Sequence, residues 1–163
     1  MNNSKITLIF TGLLLLALVA GCALIKPVPD DYVISLNTSS DLNPDADGRA
    51  SPLVLRIYEL SDDKLFNDSD FFDLYDNDAE ILEKVIVKKQ EIELNPNESR
   101  KLELSLEDKT KFIGFLAAYR DIESATWREI HDVKSQKPTG VPVFAARGLV
   151  VDLKKNKIEI AGK

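Results

Sequence analysis

The 163-residue chain has one cysteine, one histidine, one tryptophan and one methionine, so it carries little of the usual material of catalysis. With Cys22 alone, no internal disulfide can form. A zinc site needs more nitrogen and sulfur ligands than Cys22 and His131 supply. A Ser-His-Asp arrangement around His131 has no supporting motif, and in Trp127-Arg128-Glu129-Ile130-His131 the histidine reads as a surface or loop residue. Positive charge is also scarce: 21 Lys and Arg stand against 27 Asp and Glu, a net charge of −6. Such a chain is a poor ligand for phosphate backbones, which argues against nucleic acid as a partner. Its long apolar run, Ile6 to Ala20, has 15 residues. A membrane-spanning helix needs about 20.

That run, behind Lys5 and ahead of small residues, has the build of an export signal. Its exit, Val19-Ala20-Gly21-Cys22, resembles the lipobox of bacterial lipoproteins. The resemblance implies cleavage between Gly21 and Cys22, then a diacylglyceryl group on the Cys22 thiol and an acyl chain on its new amino terminus. One acyl chain anchors marginally, whereas two or three hold. Ala23 follows the cysteine, where aspartate in many lipoproteins marks retention in the inner membrane, so sorting to the outer membrane is implied. Removing residues 1–21 takes only Lys5 from the charge count and leaves a mature net charge of −7. Residues 22–31, with Pro27 and Pro29, read as an extended lipidated tether. Residues 32–163 have the length of one domain with a single core.

Apolar residues of this domain recur mostly with period two, the mark of half-buried strands. Tyr32, Ile34 and Leu36 alternate with polar or smaller neighbours, as do Leu102, Leu104 and Leu106. Leu149, Val151 and Leu153, with Lys157 to Ile160 after the turn at Lys154-Lys155-Asn156, predict a C-terminal hairpin. Asn95-Pro96-Asn97-Glu98 is a turn joining Val85–Leu94 to Arg100–Leu106. In the first of these strands the alternation changes phase, predicting a bulge near Lys88 to Gln90. Leu53 to Tyr58 and Phe112 to Tyr119 are apolar on both faces and should be central strands. From Ser69 to Glu83 the spacing of Phe71, Leu74, Tyr75, Ile81 and Leu82 is helical, with Asp70 suited to a helix N-terminus. This predicts one or two short helices over a sheet edge, within a mainly β, two-sheet sandwich.

Asn43-Pro44-Asp45-Ala46-Asp47-Gly48 imitates the start of an EF-hand calcium loop. The twelfth position of such a loop falls on Val54, in a predicted strand, instead of on glutamate, and no helices flank it. A turn between strands is the better reading. Trp127 reads as a core or interface anchor. The aspartates around Asp62, Asp63, Asp68, Asp70 and Asp73 read as a solvated face.

Three blocks together carry a family resemblance. Ser40-Asp41-Leu42-Asn43-Pro44-Asp45-Ala46-Asp47-Gly48-Arg49-Ala50-Ser51-Pro52-Leu53-Val54-Leu55-Arg56-Ile57-Tyr58-Glu59-Leu60 is similar to the signature of the type VI secretion lipoproteins, the TssJ or SciN family. Asp70-Phe71-Phe72-Asp73-Leu74-Tyr75 agrees, as does Ile113-Gly114-Phe115-Leu116-Ala117-Ala118-Tyr119-Arg120-Asp121 with Trp127-Arg128 after it. The resemblance implies a transthyretin-like β-sandwich with a helical insertion, held by lipid on the periplasmic face of the outer membrane. It implies no enzymatic activity and no cofactor beyond the lipid on Cys22. It also implies binding to the periplasmic C-terminal region of TssM and, through TssM, a link to TssL. In the family the loop between the first two strands is associated with TssM binding. Here that places Asn43, Pro44, Asp45, Asp47 and Arg49 as partner-binding candidates, with Arg49 as the main energetic contributor. The alternative is a periplasmic small-ligand-binding or hydrolytic lipoprotein on the same scaffold, since fold alone does not fix function.

Overall fold

The computed structural model describes residues 31–133 and 147–161, so the expected signal peptide, Gly21, Cys22 and all of the tether but Asp31 lie outside the described residues. In chain order the elements are β1 (Asp31–Thr38), β2 (Leu53–Leu60), α1 (Lys64–Asp68), α2 (Phe71–Ile81), β3 (Ile86–Leu94) and β4 (Ser99–Ser105). β5 (Phe112–Ala117), β6 (Arg128–Asp132), β7 (Arg147–Lys154) and β8 (Lys157–Ile160) follow. They form two four-stranded sheets, ordered β4-β1-β7-β8 and β3-β2-β5-β6. β1 and β7 run parallel, and the other strand pairs are antiparallel.

Period two accounts for the main core. Tyr32, Ile34 and Leu36 of β1 point inward beside Leu149, Val151 and Leu153 of β7. They meet Leu53, Leu55 and Ile57 of β2, and Ile113, Phe115 and Ala117 of β5. Among the described residues nothing is layered on the other face of the first sheet, where Lys101 and Glu103 are exposed. The second sheet is covered on both faces, which explains why its two central strands, β2 and β5, lack polar alternation.

The cover is the α1–α2 insert, and here the structure corrects the expectation that the helices lie over a sheet edge. They lie across the outer face. Tyr58, Leu60 and Leu116 on that face form a second buried cluster with Phe66, Leu74 and Leu82. The reason is the outward pair Tyr58 and Leu60 at the end of β2, together with Leu116 of β5: left uncovered, each would forgo about 1.5–3 kcal/mol of burial. Asp70 caps α2 as expected, its carboxylate accepting from the backbone N–H of Asp73 at 2.9 Å.

Two further differences concern edge strands. The bulge in β3 falls at Val87, not at Lys88 to Gln90: Glu59 pairs with Lys88 and Leu60 with Ile86. His131 belongs to β6, which pairs with β5, and is buried instead of lying on a surface loop. It sits opposite Ile113, whose side chain faces the sandwich interior, so alternation turns the imidazole inward, 6.1 Å from the Tyr32 ring. β6 was hidden in the sequence because Arg128-Glu129-Ile130-His131-Asp132 shows no apolar alternation.

Candidate docking site at the loop end of the sandwich

One end of the sandwich is built from four connections that hydrogen-bond to one another. The long β1–β2 loop lies between the β3–β4 turn and the β7–β8 turn: the Asn97 N–H donates to the Ser39 carbonyl, and the Asn43 N–H to the Lys155 carbonyl. The β5–β6 connection joins the group through the Thr126 N–H on the Asn156 carbonyl. Leu42, fully buried, plugs the β1–β2 loop into the core. The loop is therefore held in place at several points.

Asn43 has a left-handed backbone, φ +47°, which asparagine tolerates better than most residues. Its amide nitrogen donates to the Pro52 carbonyl at 2.7 Å, and its amide oxygen accepts from the Arg120 N–H at 2.8 Å. It is buried, and both ends of its side chain close the base of the loop. From there Asp45 to Gly48 makes a tight turn, with the Gly48 N–H on the Asp45 carbonyl and the Asp45 N–H on the Arg49 carbonyl, both 2.9 Å. Gly48 takes φ +78°, a conformation costly for a residue with a Cβ.

Asp45 organises the tip. One carboxylate oxygen accepts from the backbone N–H groups of Asp47 and Arg49, and the other from the Arg49 guanidinium at 2.9 Å. Arg49 also reaches the Asp47 carboxylate at 2.9 Å. The backbone N–H of Arg49 is the largest influence on Asp45 and holds its carboxyl below the usual carboxylate range, aided by the Arg49 side chain and the charge of Arg120. The ion pairs are open to solvent and screened by it, so they add little to folding. Their effect is to fix a guanidinium, 74% exposed, in one position. A side chain ordered in advance loses less entropy on binding.

Of the candidates read from sequence, Asp47 and Arg49 are exposed at the tip, Pro44 and Asp45 half-buried, and Asn43 buried beneath them. Arg120, exposed beside Asp45, was missed. Its place directly after the apolar run of β5, within the block that carries the resemblance, was the available signal. The Asp45 and Asp47 carboxylates, which gave the loop its calcium-like look, are engaged by Arg49 and by backbone N–H groups. Among the described residues no three His, Cys, Asp or Glu side chains converge in a metal-binding arrangement.

The architecture defines a transthyretin-like two-sheet β-sandwich with a helical insertion, whose shaped end is an interlocked set of loops. Residues 30–161 match the family model described as type VI secretion lipoprotein, VasD, EvfM, TssJ, VC_A0113, and the chain belongs to that family. The crystal structure of the T6SS lipoprotein TssJ1 from Pseudomonas aeruginosa is 38% identical, with a TM-score of 0.72 over 83% of this chain and 98% of that one. Serratia marcescens Lip, described as a membrane bound component of the type VI secretion system, shares the fold at 21% identity, with a TM-score of 0.72 over 80% of this chain and 96% of its own. A chain in the structure described as "T6SS protein TssM C-terminal domain (869-1107) from EAEC" also shares the fold, at 21% identity and a TM-score of 0.66 over 82% and 98%. No curated protein sequence matches the chain.

Proposed function

We propose that this protein is the outer-membrane lipoprotein of a type VI secretion membrane complex. Acyl chains on Cys22 hold the sandwich at the periplasmic face, and the β1–β2 loop grips the periplasmic C-terminal region of TssM. Through TssM the anchor reaches TssL. The task is mechanical and needs no turnover: lipid resists extraction at one end of the chain, and a pre-ordered protein surface resists separation elsewhere. The observation that carries the reading is the Asp45–Asp47–Arg49 clamp, exposed on a loop that neighbouring turns hold in place. Family membership supports it.

Calorimetry of the soluble domain, residues 32–163, against the periplasmic C-terminal region of TssM tests the loop. Arg49→Glu should weaken binding by about 1–3 kcal/mol, the range of interface hot spots. Because Arg49→Glu also sets a third carboxylate beside Asp45 and Asp47, Arg49→Gln should accompany it. Unchanged affinity in both variants, with the fold intact, removes Arg49 from the contact. The anchor is tested separately: Cys22→Ser should leave an uncleaved, unlipidated precursor and abolish secretion-dependent killing of neighbouring cells.

A further inference from the structure

Charge in this chain is segregated. Residues 61–83, which contain the α1–α2 insert, hold nine Asp and Glu against the single cation Lys64, whereas the remainder has 20 basic and 18 acidic residues. The net negative charge of the protein therefore resides in one lobe, on the outer face of the β3-β2-β5-β6 sheet. Part of it is neutralised within the fold: Asp78 meets Lys89 and Arg56, and Asp68 meets Lys64. Asp73, Asp76 and Glu80 on α2 are exposed, and no cation among the described residues pairs with them.

From the same helix stands Phe72, 61% exposed. It is not loose. Its ring packs edge-on against Phe71 at 5.3 Å, and Phe71 in turn stacks on Tyr75 at 5.3 Å and meets Trp127 edge-on at 5.4 Å. Trp127 is seated against both hydrophobic clusters, and Arg128 lies over its ring. Phe72 is thus a large apolar side chain held on an aromatic shelf, with the exposed carboxylates Asp73 and Asp76 following it on the same helical segment. An exposed aromatic fixed by its neighbours, with polar groups at its border, matches the aromatic core and polar rim of a protein interface.

We infer that the exposed side of the first part of α2, before the kink at Asn77, carrying Phe72 with Asp73 and Asp76 beside it, is a second docking surface, for a protein partner presenting an apolar pocket rimmed by lysine and arginine. The charge selects the occupant. An anionic bilayer surface attracts basic segments and repels this lobe, while a cationic rim is drawn to it and kept in register. The surface is separate from the β1–β2 loop and does not depend on the reading of that loop.

The test places photoreactive benzoylphenylalanine at position 72 of the full lipidated chain, in cells with the complete secretion system, and sequences the cross-linked peptides. The expected result is an adduct with a different protein, through a peptide carrying lysine or arginine beside apolar residues. Combining Asp73→Asn with Asp76→Asn should lower its yield about fivefold or more. Both aspartates are exposed and outside the ion pairs of the fold, and since Asp73 sits in the first turn of α2 the thermal midpoint of the double variant should move by no more than a few degrees. An adduct only with a second copy of this chain or with lipid overturns the inference, as does an absence of adducts or a yield indifferent to the two substitutions.

Discussion

Tyr58 of β2 donates its phenolic hydrogen to Asp78 of α2 across 2.8 Å, and Lys89 of β3 donates to the same carboxylate oxygen at 2.8 Å. Arg56 lies 3.7 Å from it and reaches the Tyr75 carbonyl at 2.6 Å. One buried carboxylate therefore ties the helical insert to two strands. Tyr58→Phe removes a single hydrogen bond and should lower unfolding free energy by about 1 kcal/mol. Asp78→Ala leaves the buried Tyr58 hydroxyl and the Lys89 ammonium without their acceptor, and about 2–3 kcal/mol of loss is expected. Urea unfolding of the soluble domain measures both, and equal effects would show that the carboxylate contributes nothing beyond the Tyr58 bond.

The same carboxylate gives stability a dependence on acid. Burial pushes the Asp78 pKa up, but the Lys89 and Tyr58 hydrogen bonds and the Arg56 charge outweigh it, and the folded value lies below the ordinary one. A depressed folded pKa means that the unfolded chain binds the proton first as pH falls. The stabilisation is complete above about pH 5 and is lost below about pH 4, as the folded pKa is approached. Denaturation at stepped pH should show the parent losing stability across that range more steeply than Asp78→Asn. Parallel curves would assign the acid sensitivity to other carboxylates.

Strands with one wet face are legible in the sequence because alternation reports directly on burial: Arg100–Leu106 lies within one residue of β4, and the alternating apolar residues of β1 and β7 fall inside strands that run up to two residues beyond them. The run Leu53 to Tyr58, apolar on both faces, announces a second buried face, but periodicity does not say what covers it, and a sheet edge is then as natural a place for the helices as the face itself. β6 and His131 were lost for the opposite reason. Short polar edge strands are defined by their neighbour's hydrogen bonds and not by their own composition. At the loop end, Asp45, Asp47 and Arg49 stood out by type, whereas the Asn43 contact with Arg120 spans 77 positions and leaves no local trace.

Gly114 shows how closely the insert is fitted. It lies on the outer face of β5, where an added Cβ would stand 3.1 Å from the Phe66 ring carbons and 3.2 Å from a Leu60 methyl. Phe66 is fully buried against Tyr58, with ring centroids 5.5 Å apart, so the ring has little room to yield. Gly114→Ala should cost about 1–3 kcal/mol by overpacking. Adding Phe66→Leu should recover part of that loss, and a double-mutant cycle reads the coupling directly. Strict additivity would mean that the ring does not set the limit on residue 114.

Asn43 separates the architecture of the β1–β2 loop from its surface. Its backbone is left-handed and its amide joins Pro52 to Arg120, so Asn43→Ala loses both a tolerated conformation and two hydrogen bonds, about 2–3 kcal/mol together. Asn43→Gly keeps the conformation and should cost about 1 kcal/mol less. Both variants leave Arg49 and Asp47 in place while loosening the base that positions them. Affinity for the periplasmic C-terminal region of TssM should therefore fall in the same order as stability, with Asn43→Ala the weaker binder at a temperature where both variants remain folded. If both fold and both bind as tightly as the parent, the loop's fixed shape is irrelevant to docking, and the contact must be sought in side chains that need no support from Asn43.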